Sequence, residues 1–263
     1  MKYTLHENLD QYNGVISNLH GFLNRHLDTG FKTKWSGYWT PPYKFLDYHA
    51  LKINGLWLGP NSLEATEYGD DFTFHHETDS LEIKESVKTP KSLPGFKLQV
   101  EIYNKTDEKK AAHVVLEPGI DIRKVDQDVG PQDYELKEEK DKLTVSNSQG
   151  ELVINGENFE REQETFVKEH YPGEKQKCFV PGNLVFRREV EAGSSKKIEV
   201  KFTTSKASLQ ELENVEQDFK HDLGRTFNSS IDSMKNLIYD RKDLGIIARH
   251  PWFQSYWARD TFW

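Results

Sequence analysis

One cysteine, Cys178, and two methionines are all the sulfur this 263-residue chain holds. A single thiol excludes any disulfide within the chain and suits a reducing compartment, so the expected location is cytoplasmic. No run approaches the roughly 18 consecutive apolar residues of a membrane span. The opening Met1-Lys2-Tyr3-Thr4-Leu5-His6-Glu7 has no apolar stretch of the signal-peptide kind. Basic excess is missing as well: 43 acidic against 35 basic residues leave a net charge of -8. That balance excludes the positive footprint that nucleic acid and anionic membrane surfaces require, and is neutral toward uncharged ligands such as sugars. A Gly-rich phosphate loop is also absent.

Aromatics, by contrast, make up 12% of the residues, enough for aromatic-rich packing. Over residues 1–206 the pattern is that of strands. Leu98-Gln99-Val100-Glu101-Ile102-Tyr103 and Lys197-Ile198-Glu199-Val200-Lys201-Phe202 alternate with period two. Shorter candidates run over 51–58, 72–76, 112–116, 151–155 and 184–190. Between them stand Asn54-Gly55, Pro94-Gly95, Pro118-Gly119, Asn155-Gly156 and Pro181-Gly182, pairs that punctuate short strands. The fold expected is mainly β, a large antiparallel β-sandwich.

Residues 207–242 change period. Ser208 with Glu211 fits a capping box, and Leu209, Leu212, Val215, Phe219 and Leu223 make an apolar stripe that Phe227, Ile231, Met234 and Ile238 resume. A helical linker is expected there. Residues 243–263 end in Tyr256-Trp257-Ala258-Arg259-Asp260-Thr261-Phe262-Trp263, an aromatic stretch without a partner surface, which reads as a chain cut at the start of a further domain.

Several groups invite a site. An adjacent Arg259-Asp260 among tryptophans suits sugar hydroxyls and ring faces, but on residue types alone a self-satisfied buried pair is the better reading. Trp35, Tyr38, Trp39, Tyr43, Phe45 and Tyr48 form an aromatic patch, either a glucan-stacking platform or, more simply, packed contact area. Asp126-Gln127-Asp128-Val129-Gly130 lacks the ligand series of a calcium loop. His75 and His76 fall on opposite faces of a strand and cannot share one metal. Glu135 to Asp141 reads as a solvated face. Cys178 has no base nearby in sequence and reads as a small buried side chain. The Asn-x-Ser/Thr triplets at Asn104 and Asn228 read as chance.

Two stretches carry a family resemblance. His250-Pro251-Trp252-Phe253-Gln254-Ser255-Tyr256-Trp257-Ala258-Arg259-Asp260-Thr261-Phe262 resembles the opening of the catalytic domain of glycogen-debranching amylo-α-1,6-glucosidases. Ala258 stands where many of them have Gly. Gly30 to His49, with Lys34-Trp35-Ser36-Gly37-Tyr38-Trp39 and Pro41-Pro42-Tyr43-Lys44-Phe45-Leu46-Asp47-Tyr48, is similar to the archaeal-type members. Asp121-Ile122-Arg123 and Val180-Pro181-Gly182 resemble their N-terminal domain too. The resemblance implies a super-sandwich over 1–206, linker helices over 207–242, and the start of an (α/α)6 barrel over 243–263. It implies that Arg259 and Asp260 bind glucose, that Trp257 lines the pocket, and that both catalytic carboxylates lie downstream. Hence no catalytic residue is nominated here and the isolated chain is expected to be inactive. No metal or other cofactor is implied. The partners implied are a glycogen-like α-glucan and the chain's own downstream barrel. Alternatives are a glucoamylase- or trehalase-like hydrolase, a non-catalytic glycan-binding sandwich, and a subunit partnering a separate barrel.

Overall fold

A computed structural model describes residues 2–91, 93–125, 127, 133–163 and 178–205, together with the backbone of three short strands at 238–240, 244–249 and 253–256. In chain order the strands are β1 (Tyr3–Leu5), β2 (Asn13–Asn18), β3 (Gly21–His26), β4 (Gly37–Thr40), β5 (Tyr43–Ile53), β6 (Leu56–Trp57), β7 (Leu63–Tyr68) and β8 (Asp71–Glu77). There follow β9 (Leu81–Lys88), β10 (Gly95–Asn104), β11 (Lys110–Lys124), β12 (Glu135–Glu139), β13 (Lys142–Asn147), β14 (Gly150–Gly156), β15 (Glu160–Glu162), β16 (Asn183–Val190) and β17 (Ser195–Thr204).

They form two antiparallel sheets. Sheet A has the order β1-β7-β8-β9-β10-β17-β14-β13-β12. Sheet B runs β15-β16-β11-β5-β4-β3-β2, with β6 paired to β5. The alternating stretches behave as alternation requires: in β10, Phe96, Leu98, Val100 and Ile102 are buried, and β17 answers with Ile198, Val200 and Phe202. Phe96 and Phe202 are register partners whose rings stack at 4.3 Å. One continuous core joins the inward faces of both sheets. The sandwich expected from the sequence is therefore present.

Asn54 and Gly55 turn β5 into β6, with φ of 49° and 90°, the left-handed pair a two-residue hairpin of this kind needs. A bulge at Asp47 breaks the register between β5 and β11, because Gly119 pairs Tyr48 while Ile120 pairs Leu46.

Further along the chain, Ile238–Asp240 (β18), Leu244–Arg249 (β19) and Phe253–Tyr256 (β20) form a three-stranded antiparallel sheet. There the structure departs from the helical reading. The β-branched pair Ile246-Ile247 favours extended backbone, and Ile238 aligns with Ile246 across a ladder. The rest of the expected helical linker, 207–237, lies outside the described residues. Among the described residues no helix is long and apolar enough to cross a membrane.

Candidate functional site

Arg259, Asp260 and Trp257 lie outside the described residues. Of the aromatic patch, Tyr38, Trp39, Phe45 and Tyr48 are buried, while Trp35 and Tyr43 are half-buried. They do not form one surface. Tyr38 and Phe45 point into the core between the sheets. Trp39 belongs to the opposite, outer face of sheet B, where it stacks on its register partner Phe22.

That outer face holds a charged cluster. Trp39 on β4 aligns with Lys44 on β5, and Lys44 aligns with Arg123 on β11. Register partners share a face, so the three side chains form a row. Lys44 Nζ lies 5.5 Å from the Trp39 ring centroid and the Arg123 guanidinium 5.8 Å. Asp121, two residues before Arg123, shares its face and accepts a hydrogen bond from Arg123 Nε at 2.9 Å. A second irregularity of β5, at Phe45, puts Asp47 on the same side as Lys44, with which it pairs. Lys44 Nζ is also 3.6 Å from Asp121 Oδ2. Next in the row, Tyr48 donates to Glu117 Oε1 at 2.6 Å, its ring lying over Gly119 where any Cβ would collide.

All these charges are buried: Lys44 and Glu117 at 0% exposure, Asp121 at 2%, Arg123 at 4% and Asp47 at 5%. Burial raises the Asp47 carboxyl above its ordinary range, and Lys44 only partly opposes that. Cys178 sits beside Asp47, Asp121 and Tyr48. Burial and the two carboxylates push its thiol up to about 12, so at neutral pH it is a protonated, poor nucleophile.

The cluster also fixes a surface turn. Lys44 Nζ donates to Lys34 O at 3.1 Å, while Asn24 Nδ2 and Trp39 Nε1 donate to Trp35 O at 3.1 and 3.0 Å. Donors from three adjacent strands thus hold two consecutive carbonyls. Thr33 and Ser36 close the turn through Ser36 N to Thr33 O at 2.9 Å. Chemically, this arrangement positions rather than reacts. Among the described residues no group of three or more His, Cys, Asp or Glu is disposed to hold a metal.

A second polar group crosses the core. Arg25 of sheet B pairs with Glu85 of sheet A, and His49 Nε2 lies 3.0 Å from the same Glu85 oxygen. Phe31 and Phe74 flank the guanidinium, and Phe96 stacks on His49. Although burial opposes it, Arg25 and His49 together hold the Glu85 carboxyl far below the usual range. Burial, reinforced by Arg25, lowers the His49 pKa. The neutral imidazole donates from Nε2 to Glu85, so its 3.2 Å approach to Arg25 Nη1 is contact between two donors. Nearby, Ser62 Oγ donates to Gly59 O, so the 3.0 Å bond to His76 Nδ1 has the imidazole as donor. His76 is pushed down to about 4 by burial.

His75 and His76 separate as expected: His75 reaches Glu67 on the solvent side, while His76 faces inward. Asn104 is fully buried and its amide donates to Glu108 O and Val190 O, so it is no glycan acceptor. The charge run is β12, exposed at every residue. The Arg25–Glu85–His49 group was missed in the sequence. A signal existed: Glu85 stands in the apolar frame Leu81, Ile83, Val87 of its strand.

No family model matches the chain, and no curated protein matches it. Among solved structures, a protein described as a kojibiose phosphorylase from the human microbiome aligns with a TM-score of 0.51 at 11% identity, over 78% of this chain and 32% of its own. A protein described as an aldose 1-epimerase from Escherichia coli K12 aligns with a TM-score of 0.44 at 6% identity, over 74% of this chain and 99% of its own. This chain therefore spans about a third of the phosphorylase it matches, and what the two share is the two-sheet β-sandwich fold.

Proposed function

We propose that this chain is the sandwich-bearing N-terminal part of an α-glucan-debranching glucosidase. Its outer sheet B face supports the catalytic domain, and Arg259, Asp260 and Trp257 contribute to the glucose subsite. One observation carries the reading. Two stretches far apart in sequence that resemble debranching enzymes, Gly30 to His49 and Asp121-Ile122-Arg123, meet in a single buried cluster around Lys44. The third, Val180 to Gly182, follows directly on Phe179, which bridges to Ile120 on the same strand as Asp121. Motifs that converge in space are better explained by one shared task than by separate coincidences.

The likeness to a phosphorylase-borne sandwich supports the fold that this reading needs. Substrate, linkage and the catalytic carboxylates rest on the motif resemblance. Hydrolysis needs two carboxyl groups flanking the bond, and the cluster's carboxylates are committed to Lys44, Arg123 and Tyr48. The chain by itself is accordingly a scaffold.

The test is glucose release from a limit dextrin bearing single α-1,6-linked stubs, comparing residues 1–263 with the gene product extended downstream. Release by the extended protein, its loss in Asp260→Asn, and none from 1–263 is the expected pattern. Preference for α-1,4 chain ends would favour a glucoamylase-like hydrolase. Retardation of 1–263 in glycogen gels without hydrolysis by any form would favour a binding module.

A further inference from the structure

Three Asn-Gly pairs stand in the sequence, at Asn13-Gly14, Asn54-Gly55 and Asn155-Gly156. Each carries a latent reaction. The main-chain nitrogen of the glycine can attack Cγ of the asparagine before it, because no Cβ hinders the approach. The nitrogen gives its proton to solvent, a succinimide ring closes, and the side-chain nitrogen leaves as ammonia. Water then opens the ring at either carbonyl, giving aspartate or isoaspartate. The step needs an available glycine nitrogen and a main chain able to rotate until that nitrogen meets Cγ.

The fold treats the three pairs differently. Asn155 and Gly156 end β14, which lies between β13 and β17. Gly156 N donates to Asp141 O at 3.0 Å, and the residue is buried against Phe186. Asn13 and Gly14 open β2. Val15 turns its N–H and C=O outward to the Tyr68 hydroxyl, so those of Gly14 face β3 in the ladder. A Cβ on Gly14 would stand 2.5 Å from Phe72 Cε1, so the strand there cannot rotate without displacing that ring. Asn54 and Gly55, by contrast, are the two residues of the β5–β6 turn, and both are exposed. A Cβ on Gly55 would meet open space, and among the described residues no hydrogen bond falls on its N–H. The strand that follows, β6, adds two register pairs to β5.

What restrains Asn54 is its own amide. Its Oδ1 accepts from His113 N at 2.9 Å and its Nδ2 donates to Ala111 O at 3.0 Å, while its main-chain N donates to His113 O at 3.0 Å. The reaction consumes this latch. Aspartate has no N–H for Ala111 O and sets a charged oxygen against that carbonyl. Isoaspartate also lengthens the main chain by a methylene inside a two-residue turn.

We propose that Asn54-Gly55 is a spontaneous deamidation site, gated by local opening of the β5–β6 hairpin, and that its conversion irreversibly unlatches the hairpin from β11. Gly55 supplies the nucleophile and water the co-reactant. The product carries a new negative charge beside Leu56, an exposed apolar residue.

The experiment incubates the protein at mildly alkaline pH, folded and in urea, and follows the three asparagines by peptide mapping with mass spectrometry. In urea all three convert at similar rates. In the folded protein Asn54 outpaces Asn13 and Asn155 by about tenfold or more, because a hairpin tip opens at lower free energy than a packed strand. Equal rates at the three sites, or an Asn54 that fails to outpace the other two, overturn the proposal. Asn54→Asp reads the consequence. With a native near-ultraviolet spectrum, hydrogen exchange of the main-chain amide at position 54 accelerates by about tenfold or more. Unchanged exchange there shows that the hairpin stays latched and overturns that part of the proposal, whereas the wild-type rates stand whatever the variant's stability.

Discussion

Glu85 is the residue on which the interior depends most. It is 1% exposed and carries a charge that, among the described residues, is answered by the Arg25 guanidinium and a hydrogen bond from neutral His49. Glu85→Gln removes the negative partner and leaves the guanidinium buried. A loss of about 3–5 kcal/mol is expected, read as a lower urea midpoint. Replacing Arg25, His49 and Glu85 together by apolar residues of similar volume is expected to cost far less, because no charge remains to be desolvated. Lys44→Met tests the outer cluster in the same way, with a loss of about 3–5 kcal/mol. It adds a local readout: amide exchange at Ser36 accelerates, since the turn loses its tie to Lys34 O. Neither network was legible as a network. A sequence displays Glu85 in an apolar frame and Lys44 near Asp47, but not which distant charge answers each.

Strands are the scale at which the sequence spoke most clearly. Period two located β10 and β17, whereas the candidate strand at 51–58 is split by the Asn54-Gly55 turn, and Pro118-Gly119, read as a turn, lies inside β11. What alternation could not supply was partnership: that β10 lies between β9 and β17, or that β11 lies between β5 and β16. Those pairings are non-local, decided by how the apolar faces meet. Phe202→Ala, which removes the ring stacked on Phe96 near one end of the β10–β17 ladder, is expected to cost about 3–5 kcal/mol in chemical denaturation. Asn54 ties its hairpin to β11, accepting from His113 N at 2.9 Å and donating to Ala111 O at 3.0 Å. Asn54→Ala loses both bonds and a residue tolerant of positive φ. A loss of about 1–3 kcal/mol is expected, read in thermal melts. The irregularities of β5 at Phe45 and Asp47 left no mark in the sequence, yet they decide that Asp47 shares a face with Lys44.

For the whole molecule, the two outer faces differ. Sheet A presents Lys84, Lys97, Glu101, Lys197, Glu199 and Lys201 to solvent, with exposed pairs of little energetic weight. Sheet B covers its outer face and buries charge there. Stability therefore depends on pH through buried groups. His26, His49 and His76 are all held below 6.5 by burial, so between that value and their folded values the unfolded chain binds more protons. Their contribution is complete above pH 6.5 and is lost as pH falls, with His76 titrating near 4. Glu85, held below 4.5, adds to the loss further down, while Asp47, raised by burial, works in the opposite direction. On the alkaline side Cys178 and Tyr134, both pushed up to about 12, favour the folded state less once the unfolded groups ionise above pH 9. The melting temperature is expected to be highest between about pH 6.5 and 9 and to fall on both sides. A flat profile from pH 4 to 7 would remove the buried histidines from the account.

The sequence by itself determined the β class, the places of strands such as β8, β10, β14, β16 and β17, the polar outer face of sheet A and the absence of internal disulfides. Each of these follows from local periodicity or composition, which a linear reading contains. Only the tertiary structure decided that Glu85 answers Arg25 across the core, that Lys44 gathers Asp47 and Asp121, and that the Tyr68 hydroxyl meets the main chain of Val15. Each of these joins residues from different strands or depends on a bulge between two strands. Such contacts form when apolar faces close on one another and leave each buried polar group to find whatever partner the packing brings within reach.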